Sequence, residues 1–186
     1  MENLKEKFAK IYDQYIDKIY RFVFLKVNSR EVAEDLTAET FLRGWKVYQK
    51  IQNSKIKNEK EIENPQAFLY QIARNLITDH YREKGKRQLV SADCVPIADP
   101  RSNIEEKTQF DSDLEMIKTA LANLENDDYQ NMVILYYIED LSVPEIAEIT
   151  GKSETNVRVI IHRALKALRK KVEEMSSREK LTIKEI

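Results

Sequence analysis

Between Ser153 and Lys166 the chain carries groups suited to reading double-stranded nucleic acid. Thr155, Arg158, Val159, His162, Arg163 and Lys166 recur so that a helix would gather them on one side. An arginine there can bridge guanine O6 and N7, and a valine can meet a thymine methyl. Ser153 and Asn156, at the start of the same helix, are polar groups of the kind that bond phosphate. A second set lies between Asn64 and Arg87. Phe68, Gln71, Asn75, Asp79 and Arg82 share a face, flanked by Arg74, Lys84, Lys86 and Arg87. Rings and amides among cations suit unpaired bases, which stack on aromatics while phosphates pair with arginine and lysine. Each set has a plainer explanation: solvated basic faces, a core role for Phe68, a half-buried helix position for His80.

A third set is acidic: Glu31, Glu34, Asp35 and Glu39, in the opening turns of a helix. Acids there complement the helix dipole, or they form a contact surface for a basic partner. Spacing does not separate the two.

Other chemistries lack their residues. The chain of 186 residues has two histidines and one cysteine, Cys94, so neither a zinc cluster nor an internal disulfide is available. There is no glycine-rich phosphate loop and no supported Ser–His–Asp order, so neither an enzyme nor a cofactor is expected. The longest apolar run, Met132–Ile138, is too short to cross a bilayer, and no signal peptide is evident. The expectation is a cytoplasmic protein. The net charge of −1 conceals basic clusters at 74–87 and 152–171 and acidic ones at 31–39 and 93–128. Localised phosphate contacts fit such unevenness better than general polycation behaviour.

The elements that must position these groups are helices, for the chain has three glycines, four prolines and 34% charged residues. Phe8, Ile11, Tyr12, Tyr15, Ile19, Phe22 and Val23 predict a helix over Leu4–Val27, broken at Asn28-Ser29. Val32, Leu36, Phe41, Leu42, Trp45 and Tyr48 predict a second from Glu31 to about Ile51. After a lysine-rich loop, Gln52–Glu63, a third runs from Asn64-Pro65 to about Lys84, burying Ala67, Leu69, Ile72, Ala73, Leu76, Ile77 and His80. Residues 88–112 hold no sustained period and form a linker, whose extended reach of about 70–80 Å exceeds two turns of duplex. Helices over Asp111–Asn126 and Asp128–Glu139 then lead into LSVPEIAEITGKSETNVRVIIHRALKALR at 141–169. There Ser142 and Glu145 form a capping box, Gly151 ends a short helix, and Ser153 caps a longer one. Val157, Ile161, Ala164, Leu165, Leu168 and Val172 make the buried stripe of that longer helix. This is a helix-turn-helix pattern, with roughly 28 Å of second helix to Val172. The fold class is all-α: two small helical bundles, 4–87 and 113–172, joined by an extended linker, with a charged tail at 173–186.

Two stretches together resemble the bacterial RNA polymerase sigma-70 family, specifically its small extracytoplasmic-function (group IV) sigma factors. One is EDLTAETFLRGW followed by NPQAFLYQIARNLITDHYREKGKR; the other is YYIEDLSVPEIAEITGKSETNVRVIIHRALKALRKKV. The resemblance implies a non-catalytic subunit directing core polymerase to promoters, with a region 2-like front domain and a region 4-like rear domain. It makes Asp35, Leu36, Glu39, Phe41 and Arg43 the core-polymerase candidates, against the coiled coil of the β′ clamp, with the β subunit a further partner. It makes Phe68, Arg74, Asn75, Arg82 and Lys84 the candidates for the single-stranded −10 element. Polar residues such as Asn53, Ser54 or Asn58 of the preceding loop would pocket a flipped base. For the duplex −35 element it selects Ser153, Thr155, Asn156, Arg158, Val159, His162, Arg163 and Lys166. Relatives are commonly restrained by an anti-sigma factor, which the resemblance adds to the partners. A stand-alone helix-turn-helix regulator is the alternative function, and a purely structural helical protein a third.

Overall fold

The computed structural model describes residues 4–53, 62–90, 119–124 and 126–182, and among these no residue is in a strand. Three helices form the front unit. The first, α1 (Leu4–Val27), buries Ile19, Phe22 and Val23. Asn28 closes it at φ 49°, a left-handed conformation that a short polar side chain tolerates, while its N–H bonds Phe24 O at 2.8 Å. Next, α2 (Arg30–Asn53) turns Ala33, Thr37, Thr40, Phe41 and Tyr48 inward. Then α3 (Pro65–Val90) starts with proline in its first turn and Asn64 Oδ1 accepting from Ala67 N–H at 3.0 Å. Its inner face is Ala67, Leu69, Tyr70, Ala73, Leu76 and Ile77. A Cβ on Gly44 would lie 3.1 Å from Leu69 Cδ2, so the glycine is what lets α2 and α3 approach so closely.

The rear unit follows. Residues 119–122 are helical, with Ala120, Leu121 and Leu124 buried. Asn126 caps α4 (Asp127–Val133), and Ile134–Ile138 continue it as a π-helical turn, Glu139 N–H reaching Ile134 O at 2.9 Å. Then come α5 (Val143–Thr150) and α6 (Glu154–Thr182). One apolar cluster runs through both units, from Phe22 and Tyr70 in front to Ile134, Ile146 and Val157 behind.

Several expectations change. Leu42, expected in the buried stripe of α2, is 47% exposed, because Phe41 and Tyr48 take the inner positions. Tyr70, absent from the expected core of α3, is fully buried, its ring edge-on to Phe22 at 5.2 Å. The Asp128–Glu139 stripe breaks at the π-helical turn, whose extra residue shifts the register and leaves Tyr136 outside. Gly85 does not end α3, which continues to Val90, about six residues past the expected end near Lys84 and three past the expected domain boundary at 87. Likewise α6 continues through residue 182, into the expected tail. Ser54 and Asn58, Cys94, the rest of the 88–112 linker after Val90, and residues 111–118 of the predicted Asp111–Asn126 helix lie outside the described residues.

Candidate nucleic-acid interface

The rear face is built by two caps and a turn. The Ser142 hydroxyl donates to Glu145 Oε2 at 2.5 Å and the Ser142 N–H donates to the same oxygen at 2.8 Å; the hydroxyl bond foremost, then the backbone bond, hold the Glu145 carboxyl below its ordinary range. Gly151 adopts φ 67°, and Lys152 N–H reaches back to Ala147 O at 3.2 Å, a Schellman closure that fixes the exit angle. Lys152 also pairs with Asp128 at 3.1 Å, tying the turn to α4. Ser153 Oγ accepts from Asn156 N–H at 3.3 Å and opens α6. With Val157, Ile161 and Ala164 buried, Ser153, Thr155, Asn156, Arg158, Val159, His162, Arg163 and Lys166 are all left exposed. Arg158 is held by Glu154 at 2.9 Å, an exposed pair one turn apart. Such pairs contribute only about 0.2–1 kcal/mol, so the guanidinium is readily released to another acceptor.

On α3 the expected set is divided. Asn75 and Arg82 are exposed, Arg82 pairing with Asp79 at 3.4 Å. Phe68 is half-buried against the core and the Gly44 position. Only the helical backbone is described at Lys84. Arg74 is half-buried, and its Nη1 donates to Ile149 O at 3.1 Å while its buried Nε has no partner.

On α2, Asp35, Glu39 and Arg43 are exposed or half-exposed, with Arg43 bonded to Glu39 at 2.6 Å in the favourable acid-first order. Leu36 is half-buried. Phe41, only 5% exposed, packs edge-on to Tyr12 at 4.8 Å, which makes it a core group of this unit rather than a surface one. Leu42 stands on the face of Asp35, Glu39 and Arg43, three and seven residues on from the acids. Helical periodicity applied by residue type had hidden it among the core residues. Its signal was an apolar residue one place too many for a stripe that Phe41 already fills.

Another cluster had no sequence signal. Where the units meet, Glu139 has a fully buried side chain gripped by Arg21 through both oxygens, at 2.6 and 2.8 Å, and by the Tyr70 hydroxyl at 3.2 Å. The Glu139 bond raises Arg21 above its ordinary pKa, and burial foremost raises Tyr70. Lys26, with a side chain 2% exposed, pairs with Asp127 and bonds Gln130 Oε1 at 3.0 Å. Desolvation pushes its pKa down. Among the described residues no His, Cys, Asp or Glu cluster could hold a metal, and no helix is long and apolar enough to cross a membrane.

Comparison with known proteins accords with this geometry. Residues 11–87 match the family model for sigma-70 region 2, and residues 114–168 match that for sigma-70 region 4. The ECF RNA polymerase sigma factor BldN of Streptomyces coelicolor is 34% identical over 88% of this chain, which spans 59% of that relative's length. SigM and SigW of Bacillus subtilis, also named ECF RNA polymerase sigma factors, are each 28% identical over 86% and 92% of the chain, with 91% of each relative covered. In fold, the chain matches the sigma factor RpoE of Bartonella quintana, solved with the anti-sigma factor NepR, at TM-score 0.69 and 20% identity, over 90% of this chain and 98% of that one. It matches CnrH, solved with the cytosolic domain of CnrY, at TM-score 0.65 and 16% identity, over 91% and 90%. The region 2 and region 4 matches between them take in most of the chain, which therefore belongs to the sigma-70 family.

Proposed function

We propose that the chain directs core RNA polymerase to promoters by dividing the work among three helical faces. The exposed face of α2, with Asp35, Glu39, Leu42 and Arg43, docks on the β′ clamp. The face of α3 with Phe68, Arg74, Asn75, Arg82 and Lys84 engages the unpaired −10 strand through stacking, amide bonds and phosphates. Then α6 enters the −35 major groove, where Arg158 and Val159 read base edges while Ser153, Thr155, Asn156, His162, Arg163 and Lys166 line the approach. The chain contributes recognition and strand capture, with no bond-making chemistry of its own, and an anti-sigma factor that covers these faces is its restraining partner.

One observation carries the reading. The region 2 and region 4 matches fall, in that order, on two helical units whose outward faces hold Asn75 with Arg82 and Arg158 with His162. A repressor that reads duplex alone needs neither α2 nor α3. The test is reconstitution: purified chain, core polymerase and a library of promoter templates, scored by transcript start sites. The reading expects a set of starts that depends on adding the chain. Tight operator binding with no recruitment of core polymerase would establish the stand-alone regulator instead.

A further inference from the structure

One cation at the mouth of the reading helix is turned away from it. Lys152 directly precedes Ser153, the cap of α6, so an outstretched side chain there would reach the phosphates that flank the −35 groove. Instead its Nζ pairs with Asp128 of α4 at 3.1 Å, and only 25% of the side chain is exposed. Arg158, by contrast, is held by Glu154 of its own helix and is 59% exposed. Arg163 and Lys166 are exposed as well. Asp128 is well placed to keep its hold. It lies in the first turn of α4, where the positive end of the helix dipole favours a carboxylate. Its neighbour Asp127 is engaged by Lys26 and by the Asn131 amide, so it does not compete for Lys152. The Lys152 backbone is fixed too, its N–H bonded to Ala147 O at 3.2 Å.

We propose that Asp128 is a specificity-determining residue: it withholds Lys152 from the phosphate backbone and so keeps α6 dependent on its base contacts. This rests on the reading of α6 as the −35 helix. Phosphates are alike on every duplex, so each cation that reaches one strengthens binding to all sequences without carrying sequence information. The gain is also uneven. Base contacts hold a matched duplex in one register, whereas a mismatched duplex slides until a flexible lysine meets a phosphate. A freed Lys152 therefore helps wrong sequences more than the right one. Asp128 itself touches no DNA; it acts through the lysine that it holds.

The test uses the full chain as holoenzyme and two −35 duplexes, one from a promoter found by the reconstitution and one with the same bases scrambled. Anisotropy titrations between about 50 and 200 mM salt give the affinity and its salt slope for each duplex. Asp128→Asn keeps the shape of the side chain and frees Lys152. On the scrambled duplex it should steepen the slope by about 0.9, the counterion release of one more neutralised phosphate. At the low-salt end the ratio of matched to scrambled affinity should fall roughly threefold. Lys152→Gln should leave slope and ratio as in wild type, and adding Asp128→Asn to it should change nothing further. The pair is partly exposed, so neither substitution threatens the fold, and helical circular dichroism checks this. An Asp128→Asn variant with either slope or ratio unchanged overturns the proposal. A shallower slope in Lys152→Gln also overturns it, since the lysine would already be bound to phosphate. So does an Asp128→Asn effect that survives in the Lys152→Gln background, because it would belong to the charge of the aspartate itself. A wild-type holoenzyme that binds the two duplexes equally refutes the reading of α6 along with the proposal, whereas the other results leave that reading standing.

Discussion

Replacing Arg158 with alanine probes the reading helix at one base pair. The side chain is exposed, its one contact among the described bonds being the Glu154 pair at 2.9 Å, so its loss should leave the fold intact. A bidentate arginine–guanine contact discriminates by about 1–3 kcal/mol, or roughly 5- to 150-fold. Releasing Arg158 from Glu154 offsets at most about 1 kcal/mol of that. Glu154→Ala should therefore act in the opposite direction, tightening −35 binding by up to about fivefold with base preference retained. Anisotropy measurements on holoenzyme, with every base pair of the −35 duplex permuted in turn, read both effects. The expected result is that Arg158→Ala flattens preference at one position and leaves the others unchanged. A uniform loss across all sequences would make Arg158 a phosphate contact, and no change at all would remove it from the interface.

Further outcomes follow from other sites. Leu42→Glu should weaken core-polymerase binding with little change in melting temperature, whereas Phe41→Ala should cost about 3–5 kcal/mol of stability through its buried ring; calorimetry and a core-binding titration separate the two. Gly151→Ala meets no neighbour within 4 Å, so its cost is the left-handed backbone alone, about 1–2 kcal/mol, seen as a melting temperature lower by roughly 2–8 °C. The Glu145 carboxyl is lowered below 4.5 by Ser142, so its stabilisation is full above 4.5 and is lost as pH falls through the native value. Ser142→Ala should flatten the acid limb of the stability profile below pH 4.5, and an unchanged limb would show that the cap does not titrate with folding.

Local chemistry made most of the helices legible. The Ser142–Glu145 box, the Gly151 turn, Pro65 in the first turn of α3 and the Asn28 break are each set by a few adjacent residues, and each sits where its residue type requires. The exposed set on α6 was legible for the same reason: the Val157–Ile161–Ala164 stripe can face only inward. Leu42 and Tyr70 were misplaced because apolar type alone does not say which of two neighbouring residues a helix turns inward; packing of α1 against α2 and α3 decides it. The π-helical turn left no mark in ILYYI, whose residue types suit an ordinary α-helix equally well. The seam was the least legible part. Arg21 and Glu139 are 118 residues apart, Lys26 and Asp127 101, and a single charged residue on a helix carries no sign of a partner so distant. Arg74 shows the consequence, since its type suggested phosphate while the folded chain gives it a helix end.

The central claim is that α3 and α6 hold different forms of one promoter at the same time. Photo-crosslinkers placed at positions 75 and 159 in the polymerase open complex test it directly. Position 75 should crosslink to the unpaired non-template strand near −10, and position 159 to intact duplex near −35, in the same complex and with core polymerase required for the first. Crosslinks from both positions to one duplex segment, independent of polymerase, would contradict the account.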